Sequence, residues 1–433
     1  MVKLFFLVFA SLQILANTDK TLTFEYYLNQ LEIKNISIKV KKNEIKKTEI
    51  ELRKSYNSFL PKVDFTLGAT VSSKNDNAFS KFLPAAEPKN PSWNRSLSIS
   101  LPIFLGGKRF DIIKISSSNK KISIYELENT ILELKSRAIS FFIKAYKDQS
   151  QLVILKKSLE LAKQNYDKAL VLKSLGRMVK IDLLTFQLSY EERKNAILNK
   201  EMQLKNTFID MSSLINSNMK VSSLNIDKNI PENIRNTQSK DLAELYIKKM
   251  RKLSPLVKKV REYKKISSYN LNISKKSFYP DLSMRYNYSP YVDNLWDFPL
   301  DKGHSLSLVL NFNIFNGFTN SLEYKKNKLN ILNANFQLEE LLKNQEYAIK
   351  KAVNVLKNSL NQMKSIKLSI NLSKEKLEQI KIGYDIGKYD YLDLLKAEND
   401  WFSKQNNLLN LEMQIFNSFY QLEIISGNNF NKK

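Results

Sequence analysis

The sequence predicts a mixed fold in which long coiled-coil helices alternate with two membrane-type β-hairpins, and the whole arrangement occurs twice. Four short stretches alternate apolar and polar residues, which indicates strands with one apolar face. Much longer stretches repeat apolar residues every three or four positions, which is typical of coiled-coil helices. The two halves also match each other at a constant offset. These three observations predict two internal repeats, each a β-hairpin followed by a long helical hairpin.

The N-terminus has the pattern of a secretory signal. Lys3 precedes an apolar run over residues 4–10, and a small residue, Ala16, follows it. We therefore expect residues 1–16 to be a signal peptide; a buried N-terminal helix is the alternative. No later segment offers the roughly 18 consecutive apolar residues that a transmembrane helix needs.

In the first repeat, residues 17–60 read as one N-terminal helix, which Pro61 ends. Residues 61–105 follow as a β-hairpin whose strands have about the length of a tilted transmembrane strand. A half-buried strand of a soluble sheet would alternate in the same way, but the rest of the chain offers little other β-type sequence for packing. The alternating apolar residues are Val63, Phe65, Leu67, Leu97, Ile99 and Leu101.

Residues 106–215 have almost no Gly or Pro and read as a helical hairpin, with Gly176 at its tip. Residues 216–240 are polar and are predicted to be a connector with little core of its own. The second repeat then follows the first, as helix 241–279, β-hairpin 280–316, helical hairpin 317–426 with Gly387 at its tip, and tail 427–433.

The offset between the repeats is constant over more than a hundred residues. Gly106 and Gly317 differ by 317 − 106 = 211, and Gly176 and Gly387 differ by 387 − 176 = 211. Upstream of the hairpins, Phe59 and Phe278 differ by 278 − 59 = 219, so the change in length lies in a hairpin loop. Equal lengths predict that both helical tips lie at the same height from the strands, as hairpins of one tube require.

Four strands leave two edges, and an edge cannot face lipid with unpaired backbone groups. Four strands are also too few to close a barrel, so several chains must share one. Two chains would supply eight strands and three would supply twelve; the strand count does not choose between them.

Composition excludes several classes of function. The chain has no Cys, and its single histidine, His304, cannot build a zinc site. We find no catalytic constellation and no cofactor motif, and we predict that the protein is not an enzyme. The net charge of +26 is spread along the whole chain rather than concentrated in a patch, so we expect no nucleic-acid partner. Two alternatives remain: a soluble basic coiled-coil protein that binds polyanions or nucleic acid, and a cell-surface structural coiled coil without a pore.

The order of these motifs resembles the TolC family of outer-membrane efflux and export ducts. The matching segments are 58–61 and 277–280 before the hairpins, 103–107 and 314–317 after them, and 175–184 and 386–395 at the tips. The resemblance implies a homotrimer that shares a twelve-strand β-barrel in the outer membrane and an α-helical barrel in the periplasm. It also implies outer-membrane lipid, a periplasmic adaptor protein and an inner-membrane RND or ABC pump as partners, with small molecules or proteins as cargo.

The same resemblance assigns candidate sites. Tyr384 matches a gating tyrosine, Asp393 a constriction aspartate, and Asp182 an aspartate of the first tip, while Lys396 stands where a second constriction aspartate would be. Lys396 could neutralise a ring of Asp393 by pairing, and Asp182 and Asp393 could equally be helix N-terminal charges. The predicted adaptor-contacting residues are Gly176, Arg177, Gly387 and Lys388; purely structural turns at these positions are the alternative.

Overall fold

The computed structural model describes residues 21–70, 92–217, 223–225, 238–292 and 300–428. The chain forms two units. The helical unit is Met1–Val40, Leu127–Val257 and Leu341–Lys433, and the sheet unit is Lys41–Glu126 and Lys258–Glu340. The predicted signal peptide lies outside the described residues.

The described elements fall into two series, one for each repeat. The first repeat comprises β1 (Thr21–Thr23), α1 (Phe24–Lys34), α2 (Ile36–Tyr56), a 3₁₀ turn (Asn57–Phe59), β2 (Lys62–Thr70), β3 (Ser92–Leu105), α3 (Lys108–Ser174) and α4 (Lys180–Ile215). The second comprises β4 (Ser223–Asn225), α5 (Ser239–Leu253), α6 (Pro255–Lys276), β5 (Asp281–Tyr288), β6 (Tyr291–Val292), β7 (His304–Asn311), α7 (Thr319–Asp385) and α8 (Tyr391–Ser426).

The long helices and the return helices have matching bounds in the two repeats. Helices α3 and α7 each contain 67 residues and begin at Lys108 and Thr319, so their offset is 319 − 108 = 211. Helices α4 and α8 each contain 36 residues and begin at Lys180 and Tyr391, again with 391 − 180 = 211. The mostly helical architecture with a small antiparallel sheet is thereby confirmed.

Two helices that the sequence predicts as continuous are broken. Instead of one helix over residues 17–60, the described part has β1, α1 and α2, with the break at Asn35. The Asn35 side chain accepts a hydrogen bond from the Ser37 N–H at 2.8 Å, and its amide donates to the Leu214 carbonyl at 2.6 Å. An asparagine that caps the following helix and binds a neighbouring one compensates for the lost helical bond. Over 241–279 the break lies at Ser254, and Pro255 opens the next helix, as proline often does.

The predicted connector at 216–240 also contributes to the core, contrary to expectation. Its strand β4 pairs in parallel with β1, and Leu22 lies opposite Leu224. Both leucines are buried. They join the core of the helical unit, whose other members include Tyr27, Leu28, Leu31, Ile38, Phe142, Met211, Ile215 and Phe416. The polar composition of the connector gives no sign of this short strand. It forms only because β1, about 200 residues earlier in the chain, pairs with it.

The sheet unit contains an antiparallel sheet in the order β2-β3-β5-β7, and β6 pairs with the end of β3. The register places Phe65 opposite Leu97, Leu97 opposite Tyr288, and Tyr286 opposite Leu306. Since side chains alternate between faces, one face of the sheet is apolar except for Arg95 and His304, and the other is mostly Ser, Thr and Asn. Among the described strands, β2 and β7 each pair on one side only.

The apolar face is open to solvent within one chain. Phe65 is 62% exposed on β2, and Leu306, Leu308 and Leu310 are each at least 65% exposed on β7. A soluble sheet would cover these residues with helices. In the described part of the chain, no helix combines the length and apolar character needed to cross a membrane.

Candidate functional site at the hairpin tips

The tip of the first helical hairpin is a Schellman turn. Helix α3 ends at Ser174, and Gly176 takes a φ of +69° in the left-handed region that favours glycine. The Arg177 N–H donates to the Leu172 carbonyl at 2.9 Å, and the Gly176 N–H donates to the Lys173 carbonyl at 3.1 Å. These two bonds satisfy carbonyls that the helix end would leave free.

The second tip repeats this geometry at the matching residues. Gly387 has a φ of +78° and donates to the Tyr384 carbonyl at 3.1 Å, while the Lys388 N–H donates to the Gly383 carbonyl at 2.7 Å. A Cβ atom on Gly383 would overlap the Tyr389 ring, so this glycine is needed for close packing of the turn. By contrast, a Cβ on Gly176 or Gly387 would meet nothing within 4 Å.

Both tips expose apolar side chains at matching positions. Leu175 is 63% exposed and its counterpart Ile386 is 75% exposed, immediately before each glycine. Ile181 and its counterpart Leu392 are similarly exposed in the first turn of each return helix. The predicted contact residues Arg177 and Lys388 are exposed beside them. Each tip therefore combines an apolar rim with a basic residue, a composition typical of a docking surface.

The candidate gating residue Tyr384 lies between the two hairpins. Its ring, on α7, packs in a cluster with Ala169, Phe186 and Tyr391, which come from α3, α4 and α8. The rings of Phe186 and Tyr391 have centroids 3.7 Å apart. Burial, together with the nearby carboxylates of Asp182 and Asp385, raises the pKa of the Tyr384 hydroxyl. Asp182 thus lies close enough to Tyr384 to influence the ionisation of its hydroxyl, and the aperture role of the two residues stays a prediction.

Beside this cluster, an ion pair also joins the two helical hairpins. Lys168 on α3 pairs with Asp385 at the end of α7, and its ammonium lies 5.9 Å from the centroid of the Tyr384 ring. Both side chains are about half exposed, so the pair contributes no more than about 1 kcal/mol. The pair therefore adds little to the stability of this contact.

The aspartate predicted at the constriction, Asp393, lies in the first turn of α8 and is exposed. Its N–H donates to the side chain of Asp390, the N-cap residue, at 2.9 Å. Asp393 therefore serves at least as a favourable helix N-terminal charge, as the alternative interpretation proposed. Lys396 is exposed one turn further, and the ion pairs found among the described residues of one chain do not join it to Asp393.

Sequence reasoning missed a buried polar network between the hairpins. Arg193 on α4 donates to the Glu398 carboxylate on α8 at 3.1 Å, and their side chains are only 10% and 2% exposed. The Asn165 amide donates to the other carboxylate oxygen at 2.8 Å, and Arg193 also donates to the Ser158 carbonyl at 3.1 Å. Burial raises the pKa of the Glu398 carboxyl, although Arg193 and Asn165 oppose the shift.

A signal for this network does exist in the sequence. Arg193 follows the buried Phe186 by seven residues and precedes the buried Ile197 by four, so it falls on the apolar stripe of α4. Glu398 likewise lies between Leu394 and Phe402 on α8. A charge of each sign on two facing apolar stripes indicates a buried ion pair.

Among the described residues, no group of acidic and histidine side chains is arranged to hold a metal ion. The single histidine, His304, lies within hydrogen-bonding distance of the Tyr286 hydroxyl at 2.7 Å and stacks near Tyr288 on the sheet.

Comparison with known proteins identifies the fold. No family model matches the sequence, and no curated protein matches it by sequence. Solved structures do match. CusC, studied for folding and transmembrane channel formation, superposes with a TM-score of 0.81 at 13% identity, over 94% of this chain and 92% of that one.

The outer membrane protein VceC from Vibrio cholerae gives a TM-score of 0.78 at 13% identity, over 94% of this chain and 97% of that one. The CmeC outer membrane channel from Campylobacter jejuni gives 0.74 at 19% identity, over 98% and 92%. These are the folds of TolC-family outer-membrane factors, so the resemblance drawn from the sequence motifs is confirmed at the level of the fold.

Proposed function

We propose that this protein is a trimeric outer-membrane export duct, which receives cargo from an inner-membrane pump through a periplasmic adaptor. The single observation that carries the proposal is the sheet of the sheet unit, which has one exposed apolar face and two open edges. Lipid is the solvent that suits such a face, and only further strands can satisfy its edges.

Sister copies are the natural source of those strands. Twelve strands, from three copies, form a barrel with an open lumen, whereas eight strands leave an interior that side chains fill. In the trimer, the Ser, Thr and Asn face of the sheet lines the lumen, and the apolar face contacts outer-membrane lipid. The confirmed fold supports this choice, because several of the matching solved structures, OprN, CmeC and MtrE among them, are outer membrane channels.

The helical unit offers independent support for assembly. On α8, Leu409 and Met413 are 7% and 4% exposed. Their counterparts on α4, Leu198 and Met202, are each 57% exposed. Because the two helices are equivalent in the repeat, an apolar face that is covered on one and open on the other indicates a missing neighbour. A second copy of the chain can supply that neighbour and close a helical barrel.

We assign the hairpin tips to the adaptor. Three copies would present six tips, each with the same exposed apolar pair before and after the glycine turn. An amphipathic helical hairpin on the adaptor would bury these residues, with Arg177 and Lys388 pairing at the rim. The pump, of the RND or ABC class, supplies the energy, and the duct itself needs no cofactor.

We assign the aperture to Tyr384 and the charged residues around it. In this role the contact between Tyr384, Asp182 and the pair Lys168–Asp385 holds the two hairpins of one chain together. Asp393 and Lys396 are exposed on the adjoining turns of α8, where opposite charges of neighbouring copies could pair. Separating the hairpins would widen the passage.

Two substitutions on the same strand test the membrane assignment. Leu308 lies on the apolar face of β7 and Ser307 on the opposite face. Leu308→Arg would place a charge in lipid, at about 2–4 kcal/mol per chain near the bilayer midplane, and we expect loss of the heat-sensitive trimer from outer-membrane extracts. Ser307→Arg serves as the matched control and should keep the trimer while shifting its ion selectivity in planar bilayers.

The proposal fails if both variants behave alike in extraction and conductance. It also fails if the unchanged protein is recovered as a soluble monomer without detergent. In that case the soluble, polyanion-binding alternative gains support, and steep salt dependence of DNA binding would be its signature.

A further inference from the structure

Each repeat contains an ion pair at the same place, but the signs of its charges are reversed. In the first repeat, Glu32 on α1 pairs with Lys135 on α3, with 2.6 Å between the carboxylate and the ammonium. In the second, Arg251 on α5 pairs with Glu346 on α7 at 2.5 Å. The long-helix partners differ by 346 − 135 = 211 and the short-helix partners by 251 − 32 = 219, which are the two offsets of the repeat.

Packing beside the pairs confirms that the positions are equivalent. Tyr27 on α1 and Tyr246 on α5 differ by the same 219 residues, and both are buried. The Tyr27 hydroxyl donates to the Met211 carbonyl at 3.2 Å on α4, and the Tyr246 hydroxyl donates to a carboxylate oxygen of Glu423 on α8. Thus α1 packs on the first helical hairpin as α5 packs on the second, and the ion pairs at the two contacts have opposite polarity.

The first pair lies where a mismatch would be costly. Lys135 is fully buried, while Glu32 is 27% exposed. A buried ammonium needs an opposite charge, and a like charge in its place is strongly unfavourable. The second pair is more exposed, at 57% for Arg251 and 23% for Glu346.

We propose that this charge reversal sorts the two repeats during folding and assembly. Because the repeats are structurally similar, α1 could dock on α7, and α5 on α3, within one chain or between two copies. Such cross-pairing would set Glu32 against Glu346 and Arg251 against the buried Lys135. Both wrong contacts are repulsive and both correct contacts are attractive. The charge reversal therefore disfavours docking of α1 on α7 and of α5 on α3, whether or not the protein acts as a duct.

The test reverses the more exposed pair and leaves the buried lysine untouched. Arg251→Glu with Glu346→Arg keeps every correct contact attractive, but cross-pairing becomes attractive as well. Since the chain contains no Cys, any disulfide must form between two introduced cysteines and therefore reports which helices are in contact. Leu28→Cys with Ala138→Cys reports the correct contact, because both side chains belong to one core cluster. Helix α1 runs antiparallel to α3, since Phe24 contacts Phe142 while Glu32 pairs with Lys135, and this register sets Leu28 against the turn that contains Ala138. Leu28→Cys with Ile349→Cys, the counterpart of Ala138, reports the wrong one.

After refolding of the full-length protein into detergent and oxidation, we expect the wrong disulfide to rise by about tenfold or more in the reversed protein. The control Arg251→Lys with Glu346→Asp keeps the original polarity and should give the wrong disulfide at the background level. A further variant reverses both pairs, through Glu32→Lys, Lys135→Glu, Arg251→Glu and Glu346→Lys, and should restore sorting. Equal amounts of the wrong disulfide in the reversed protein and the polarity-keeping control would overturn the proposal.

Discussion

Replacing Arg193 by leucine should destabilise the protein far more than removing a neighbouring exposed charge, because it leaves the buried Glu398 carboxylate without its positive partner. Glu398 is 2% exposed, and without Arg193 it would keep only the hydrogen bond from Asn165. Breaking a buried pair by removing one partner costs about 3–5 kcal/mol. At roughly 1.4 kcal/mol per factor of ten, that is about two to three and a half orders of magnitude in the unfolding equilibrium.

The adjacent residue supplies the matched control. Lys194 pairs with Glu191 one turn away, and both side chains are about half exposed. Lys194→Leu removes the same charge from α4, and we expect a change within about 0.5 kcal/mol. Urea unfolding followed by far-UV circular dichroism, on the detergent-solubilised protein, measures both variants. A second substitution, Glu398→Gln in the Arg193→Leu background, should recover most of the lost stability, because the amide is neutral.

The pH dependence separates a buried charge from a simple packing defect. Burial raises the pKa of Glu398, and the loss of Arg193 removes a charge that lowers it, so the pKa should rise further. A carboxyl whose pKa is higher in the folded state binds a proton more readily on folding. Its favourable contribution is therefore present at low pH and is lost as pH rises through the folded pKa.

The deficit of Arg193→Leu should thus be largest at neutral pH and should shrink near the ordinary glutamate pKa of 4.5. A deficit that is equal at both pH values, or no larger than that of Lys194→Leu, would refute the reasoning.

Three further predictions concern turns and tips. Gly427→Ala should destabilise the protein by about 2–4 kcal/mol in urea unfolding, because φ is +79° and the added Cβ would lie 2.7 Å from the Ser254 Cα. Gly387→Ala should cost only about 1–2 kcal/mol in the same assay, because φ is +78° but the added Cβ would meet nothing within 4 Å. Asp390→Ala should lower stability by about 1 kcal/mol through loss of the N-cap bond to Asp393, as measured by the same unfolding assay. Ile386→Asp, at a residue 75% exposed, should leave stability within about 0.5 kcal/mol but reduce cargo efflux and pull-down of the adaptor in cells.

Local patterns were sufficient to predict the four long strands of the antiparallel sheet, the long helices and the glycines at the tips. Alternation with a period of two in residues such as Leu306, Leu308 and Leu310 identifies a strand and its apolar face without knowledge of its partners. Gly176 and Gly387 mark the tips because a left-handed turn after a helix favours glycine whatever surrounds it. The constant offset of the repeat fixes the equal lengths of the hairpins.

Other features depend on residues that meet only after folding. The break at Asn35 is stabilised by a hydrogen bond to Leu214, and the strand β4 exists because β1 pairs with it. Arg193 lies on an apolar stripe of its helix, but its partner Glu398 is more than 200 residues away in the chain. Such long-range contacts leave a weak trace in a single sequence, because each residue taken alone has several acceptable environments.

The repeated architecture is thus readable from the chain alone, since periodicity and glycine placement act through local backbone and side-chain geometry. The folded arrangement was needed to learn which charges are buried and which residues they pair with, including Glu32 with Lys135 and Arg251 with Glu346. The physical reason is that the energy of a charge depends on its solvent exposure and on the sign of its nearest neighbour, and both are set by contacts between distant helices.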